Sequence, residues 1–302
     1  VLPPYLKPGD TIGICAPARK VSREEVNSGI QFLVSNGFHV KLSDHLFGSY
    51  NQFSGTDEER IADFQAMIDD DSVSAVLAAR GGYGCVRLVD KIDFSKFKAK
   101  LKWIIGFSDM TVFSNHLHTN FDIATLHGPM LYNMSGSRMH AEATSSLLRM
   151  LKGTDIHYSI DKGPNHLLNR NGNAEGILTG GNLSLIFSLS GTPSDIDTTG
   201  KILFIEDLDE YYYHLDRMIL QLKRSGKLKS LSGLIVGGMN DMRDNMIPFG
   251  KTAEQIIAEA VAEYDYPVCF DFPAGHISRN LPLKLGANVK LSVGETIDLS
   301  FG

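Results

Sequence analysis

The sequence predicts an α/β protein in two parts, on three observations. Short apolar runs alternate with amphipathic helical stretches through the first half, which argues a parallel sheet covered by helices. A polar, turn-rich stretch at 153–175 interrupts that alternation. The chain then ends on two period-two runs, 289–293 and 296–299, joined by Gly294-Glu295, a pair suited to a two-residue hairpin turn.

The elements follow in order. Thr11-Ile12-Gly13-Ile14-Cys15-Ala16-Pro17 reads as a first buried strand. Ser22-Arg23-Glu24-Glu25 is a capping box, and Val26, Ile30 and Leu33 follow at helical spacing. Asn36-Gly37 ends that helix. Residues 39–44 give a second strand, 57–70 a helix with Ile61, Phe64, Met67 and Ile68 on one face, and 73–79 a third strand. Arg80-Gly81-Gly82-Tyr83-Gly84 follows it directly. Residues 103–107 and 123–127 supply the fourth and fifth strands. In parallel sheets chemistry gathers beyond the carboxyl ends of the strands, where the 80–84 loop and Ser108 both fall. Residues 1–152 form the first domain, 153–175 the linker and 176–302 the second domain. There, 202–205, 234–236 and 268–272 read as strands and 210–224 as a helix. Thr252-Ala253-Glu254-Gln255 opens another helix with a capping box.

Composition excludes several classes. The 302 residues are 43% hydrophobic and 21% charged, with net charge −6, and hold no Lys/Arg-rich tract, so nucleic acid is not an expected partner. No apolar run is of membrane-spanning length. Cys15, Cys85 and Cys269 lie far apart, which is neither a disulfide framework nor a metal-binding pattern and suits a reducing compartment. The N-terminus shows no basic region followed by an apolar core, so a signal peptide is not expected; a trimmed leader stays open because the chain starts at Val1.

Three stretches could carry chemistry. Ser108 stands where an apolar strand meets a helical stretch, so its hydroxyl would leave the sheet beside the helix's first amides. It could equally cap that helix, and Met110 stands where the second glycine of a Gly-x-Ser-x-Gly elbow would be. Glu206-Asp207 follow the apolar run Phe204-Ile205, and either they orient a histidine or they open the next helix on its favourable dipole end. His276 follows a strand in Pro273-Ala274-Gly275-His276, as a general base or an ordinary loop histidine. Serine, acid, histidine is one known chain order for a triad. Cys85 could be a thiol nucleophile, but has no adjacent histidine.

The chain resembles the LD-carboxypeptidase family of serine peptidases, which includes the microcin-immunity enzymes. The matching pieces span nearly the whole sequence: Lys7-Pro8-Gly9-Asp10 with Ile12-Gly13-Ile14-Cys15-Ala16-Pro17, Ala79-Arg80-Gly81-Gly82-Tyr83-Gly84, Ile105-Gly106-Phe107-Ser108-Asp109-Met110-Thr111, His127-Gly128-Pro129-Met130, Leu178-Thr179-Gly180-Gly181-Asn182-Leu183, Ile205-Glu206-Asp207, and Gly275-His276 with Leu281-Pro282-Leu283 and Gly286. The resemblance implies a flavodoxin-like N-terminal domain and a smaller α/β C-terminal domain with a barrel-like sheet. It implies Ser108 as nucleophile, Glu206 as carboxylate, His276 as general base, and the amides of Asp109 and Gly82 as oxyanion hole, with Gly81 and Arg80 toward the substrate. No metal or other cofactor is expected. The implied substrate is a murein tetrapeptide cleaved before its terminal D-alanine, in cytoplasmic cell-wall recycling, by a homodimer that binds neither nucleic acid nor membrane. Arg80 is a candidate for the terminal carboxylate, though it could instead pack at its loop's base. Ile277-Ser278-Arg279 is bulkier than the glycine-rich turn expected after the histidine. Two alternatives remain: an immunity-type peptidase acting on an acyl-nucleotide amide, and a non-catalytic protein whose Gly81-Gly82-Tyr83-Gly84 loop cradles a phosphate or carboxylate.

Overall fold

A computed structural model describes residues 1–302. In the first half, β1 (Thr11–Cys15), α1 (Arg23–Ser35), β2 (His39–Leu42), α2 (Asp57–Asp69), β3 (Val73–Ala78), α3 (Ser95–Ala99), β4 (Trp103–Ile105), α4 (Thr111–Phe121), β5 (Thr125–His127) and α5 (Ala141–Leu151) follow one another. The capping box at Ser22 forms as expected, with Glu25 reaching back to the Ser22 amide at 2.8 Å. The strands lie in the order β2-β1-β3-β4-β5, all parallel, which is the flavodoxin-like arrangement. Alternation along each strand feeds both faces. Ala75 and Leu77 join the apolar cluster that holds Val26 and Leu33 of α1 and Leu147 of α5. Val76 and Ala78 join Phe64 of α2, Phe97 of α3 and Phe113 of α4 on the other face.

The second half comprises β6 (His157–Asp161), β7 (Gly172–Asn182), α6 (Leu183–Leu189), β8 (Ile202–Leu208), α7 (Tyr212–Arg224), β9 (Gly233–Asn240), α8 (Ala253–Ala260), β10 (Val268–Cys269), β11 (Leu283–Leu285), β12 (Asn288–Val293) and β13 (Thr296–Phe301). The sheet order is β10-β9-β8-β7-β12-β13-β6. Its parallel half, β7 to β10, carries α6, α7 and α8 on one face, packed through Leu203, Ile205, Leu234 and Val236. The remainder is antiparallel and includes the hairpin foreseen at Gly294-Glu295. Where a barrel-like sheet was expected, the sheet is open, with β10 and β6 as its edges.

Two further features differ from expectation. The segment taken as a linker holds a strand, because Tyr158 and Ile160 bury themselves against β13 while His157, Ser159 and Asp161 face solvent. The flanking polar turns obscured this short period-two run. More consequential is β11. It leaves the second half and pairs antiparallel with β5, Leu283 opposite His127 and Leu285 opposite Thr125, as the edge strand of the first sheet. The halves also share one core: the cluster holding Ile12, Ile14 and Trp103 continues through Leu283 to Phe204, Ile235 and Leu291. No helix is long and apolar enough to cross a membrane.

This shared strand sets a testable expectation. Leu283 is fully buried, so Leu283→Ala should cost about 2–5 kcal/mol in transfer and cavity terms. Trp103, the single tryptophan, lies in β4 of the first sheet. Its fluorescence midpoint in denaturant should fall together with the far-UV signal; an unmoved Trp103 midpoint would show that β11 does not support the first sheet.

Candidate active site

Ser108 follows β4 with φ +60°, a left-handed conformation that non-glycine residues seldom adopt. The turn is possible because Gly106 has no side chain: a Cβ there would stand 2.6 Å from the Met110 side chain. Met110 therefore occupies the place of the missing second glycine without closing the elbow. The helix-capping alternative is decided by geometry. Neither the 3-10 turn Ser108–Met110 nor α4 has a side-chain cap, and the Ser108 hydroxyl lies 3.0 Å from His276 Nε2 instead.

His276 Nδ1 lies 2.6 Å from Glu206 Oε2, which also accepts the His276 main-chain N–H at 3.1 Å. Glu206 is wholly buried. The β8–β9 register slips between Ile205 and Asp207, and such a bulge re-aims the side chains around it. Glu206 consequently meets His276. Asp207 turns to the start of α6, accepting from Asn182 Nδ2 at 3.0 Å and from the Ser184 amide at 2.9 Å. Gly275, with φ +105°, is obligatory beside this pair, since a Cβ there would stand 2.6 Å from Glu206 Oε2.

The electrostatics follow from burial and pairing. Burial opposes an imidazolium at His276, but the Glu206 charge and hydrogen bond outweigh it and hold the pKa above the usual histidine value. Burial likewise opposes the Glu206 carboxylate, and the His276 charge and hydrogen bonds outweigh that, so its pKa is lowered. His127, at the end of β5, is driven down to about 4 by burial and stays neutral at pH 7. Its ring packs edge-on against Phe204 beneath the pair, 5.0 Å between centroids.

The glycine loop closes on the serine. A Cβ on Gly81 would stand 3.0 Å from Ser108 Cβ, a tight contact that the absent side chain avoids. Gly82 adopts φ +115°, and neither its N–H nor that of Asp109 is taken up by a loop or turn hydrogen bond. The Asp109 carboxylate turns away and accepts the Cys85 amide at 2.7 Å. Cys85 is fully buried and its thiol pKa is raised well above normal, chiefly by desolvation, so no thiolate nucleophile is available. Arg80 is engaged within the fold. It pairs with Glu25 at 3.2 Å and lies over the Tyr132 ring, the packing role the sequence left open.

A cavity of about 410 Å³ adjoins the imidazole, walled by Phe107, His276, Ile277 and Ser278 on one side and by Asn133, Arg138 and Thr144 on the other. Arg279 lies outside its lining and is held by both oxygens of Glu142, at 2.7 and 2.9 Å. Sequence reasoning missed Asn280, whose Oδ1 accepts the Gly275 amide at 2.8 Å and fixes the turn that delivers His276. It also missed Arg138. The signal available for His127 was a titratable residue ending an apolar strand.

Residues 12–128 match the LD-carboxypeptidase N-terminal domain and residues 175–291 the LD-carboxypeptidase C-terminal domain. The chain belongs to the LD-carboxypeptidase family. It is 37% identical to a protein of Bacillus subtilis named probable murein peptide carboxypeptidase, over 97% of this chain and 92% of that one. The crystal structure of muramoyltetrapeptide carboxypeptidase from Oxalobacter formigenes superposes with a TM-score of 0.86 at 28% identity, covering 97% of this chain and 98% of the other. The microcin C7 self-immunity protein MccF of Escherichia coli is 25% identical over 94% of this chain and 90% of its own length.

Two expectations follow from the geometry. Glu206→Gln should lower kcat by about 10⁴-fold, because the amide cannot hold the imidazole tautomer or stabilise the imidazolium, whereas Asp207→Asn should cost far less; the reverse ranking would reassign the carboxylate. The second concerns pH. With the Glu206 carboxylate holding the His276 pKa above the usual histidine value, kcat/KM should climb with pH through a single ionisation above that value. Removing the carboxylate removes what favours the imidazolium, so in Glu206→Gln the limb should move to lower pH; an unmoved limb would assign the ionisation to another group.

Proposed function

We propose that this carboxypeptidase is a serine enzyme that releases D-alanine from murein tetrapeptide, cutting after the L-centre of the diamino acid. The observation that carries the reading is the unbroken hydrogen-bond chain from Ser108 through His276 to buried Glu206. In the proposed cycle His276 takes the Ser108 proton as Oγ attacks the scissile carbonyl, and Glu206 stabilises the resulting imidazolium. The Asp109 and Gly82 amides receive the oxyanion. His276 then protonates the departing amine of D-alanine, and water, activated by the same imidazole, releases the acyl-enzyme.

Murein peptide is preferred over an acyl-nucleotide amide because neither the single tryptophan nor Phe187 of α6 is presented as a stacking surface for a nucleobase. Trp103 is fully buried in β4 and faces Tyr5, with ring centroids 6.2 Å apart. Phe187 is half-buried on α6 against His214. Absence of stacking withholds about 1–3 kcal/mol from a base. A cradle that merely binds an anion is disfavoured because Gly81 packs against Ser108. A cytoplasmic homodimer completes the proposal; three unpaired, buried cysteines suit a reducing compartment.

Ser108→Ala should remain folded and lose roughly 10³-fold or more in kcat; a folded variant with near wild-type turnover would remove the nucleophile assignment. For the substrate, kcat/KM is compared for tetrapeptides ending in D- or L-alanine and for an aminoacyl-nucleotide amide, with and without EDTA. The D-alanine peptide should be preferred and EDTA should change nothing. Preference for the nucleotide conjugate by about tenfold, equivalent to 1.4 kcal/mol, would favour the immunity-type activity, and no turnover of any would revive the binding protein.

A further inference from the structure

The cavity beside the triad holds one cation that the fold leaves without a counter-ion. Arg19 packs against Gly82 on the other side of the triad and does not line the cavity; three arginines come close on the cavity side. Arg279 is neutralised by Glu142 in a two-pronged pair. Arg80 pairs with Glu25 and does not line the cavity. Arg138 does line it, and no carboxylate lies within ion-pair distance of its guanidinium. Although exposed, its side chain is anchored at two atoms. Nε donates to the Tyr132 carbonyl at 2.8 Å and Nη2 to the Glu25 carbonyl at 2.6 Å. The guanidinium lies over the Tyr132 ring at 4.0 Å, with Arg80 over the same ring at 4.1 Å. Main-chain carbonyls and a ring face orient a cation without cancelling its charge, and Nη1 still has both hydrogens to give.

The cavity's position says which part of a substrate it faces. It touches His276 but none of Gly81, Gly82 and Asp109. In acyl transfer the oxyanion lies toward its amide donors, and the departing amine lies toward the imidazole that protonates it. The cavity is therefore on the leaving-group side. The group that leaves a carboxypeptidase substrate carries a free carboxylate one carbon from that amine. A planar guanidinium held in place is suited to such a carboxylate, because it can give two parallel N–H bonds that a Lys ammonium cannot.

We infer that Arg138 is the specificity residue for the substrate's terminal carboxylate, and that it, rather than Arg80, makes the enzyme an exopeptidase. The inference rests on the carboxypeptidase reading above. The cavity lining, which includes Asn133, Thr144 and Asn280, contains no carboxylate, so nothing in it repels a terminal carboxylate or neutralises Arg138.

The test is the ratio of kcat/KM for a tetrapeptide ending in free D-alanine to that for the same peptide with a C-terminal amide. It is measured in the wild type and in Arg138→Ala, Arg138→Lys and His140→Ala. Loss of a hydrogen bond to a charged group should lower turnover of the free acid by roughly 10- to 100-fold in Arg138→Ala, with little change for the amide, so the ratio should fall toward one. Arg138→Lys should lie between. Because each variant is compared with itself on two peptides, partial misfolding cancels from the ratio. An equal loss on both peptides, or a ratio that collapses in His140→Ala and not in Arg138→Ala, would overturn the assignment. Should the wild type turn over neither peptide, the carboxypeptidase reading fails first. Calorimetric binding of the two peptides to wild type and Arg138→Ala would then still decide the arginine, a selective loss for the free acid supporting it and equal binding overturning it.

Discussion

The site depends on one hydrogen bond that crosses from one sheet to the other, between Ser108 and His276. The serine belongs to the flavodoxin-like sheet and the histidine to the segment that follows β10. A hydrogen bond of this kind tolerates only a few tenths of an ångström of error, so the two halves must be held as one body. Three contacts achieve this. β11, shortly after His276 in the chain, is hydrogen-bonded to β5. The Asn182 amide donates to Thr111 Oγ1 at 3.0 Å, directly after the serine turn. Gly181 lets that approach happen, since its Cβ would stand 2.6 Å from the same oxygen. The shared apolar core fills what lies between.

Within that frame local strain is confined to a few positions. Ser108 sits at φ +60°, and its neighbours Gly81 and Gly106 give up their side chains to make room. Glu206 is stripped of water and is tolerable only because His276 supplies two hydrogen bonds and a matching charge. The other polar side chains near Ser108 and His276 are each bound elsewhere: Asp207 at α6, Asp109 at the Cys85 amide, Arg80 at Glu25. This division of partners leaves Glu206 as the carboxylate that meets His276.

Much of this was legible in the chain itself. The alternation of apolar strands with capped helices gave the first sheet, and the strand-to-turn position singled out Ser108. Glu206 and Asp207 were not separable by residue type, because a register slip decides which of the two adjacent acids faces His276. β6 was hidden by polar turns on either side of a short run, and the barrel-like sheet was implied by the family resemblance rather than by any run of the second half. β11 was invisible for a simpler reason: three residues between Pro282 and Gly286 carry no usable period, and only tertiary pairing makes them a strand. The sequence shows the Arg80 charge but not the Glu25 that pairs with it, and Arg138 sits in a turn with no motif of its own.

The edge strand at β11 also imposes an order on biosynthesis. As the chain leaves the ribosome, β1 to β5 are complete long before residues 283–285 exist. Until then β5 presents an open edge on one side of a hydrophobic sheet, a template for pairing with another nascent chain. The final closure joins segments far apart in sequence, which is entropically slow. Slow translation of the second half, or a stop codon upstream of Leu283, prolongs that exposure.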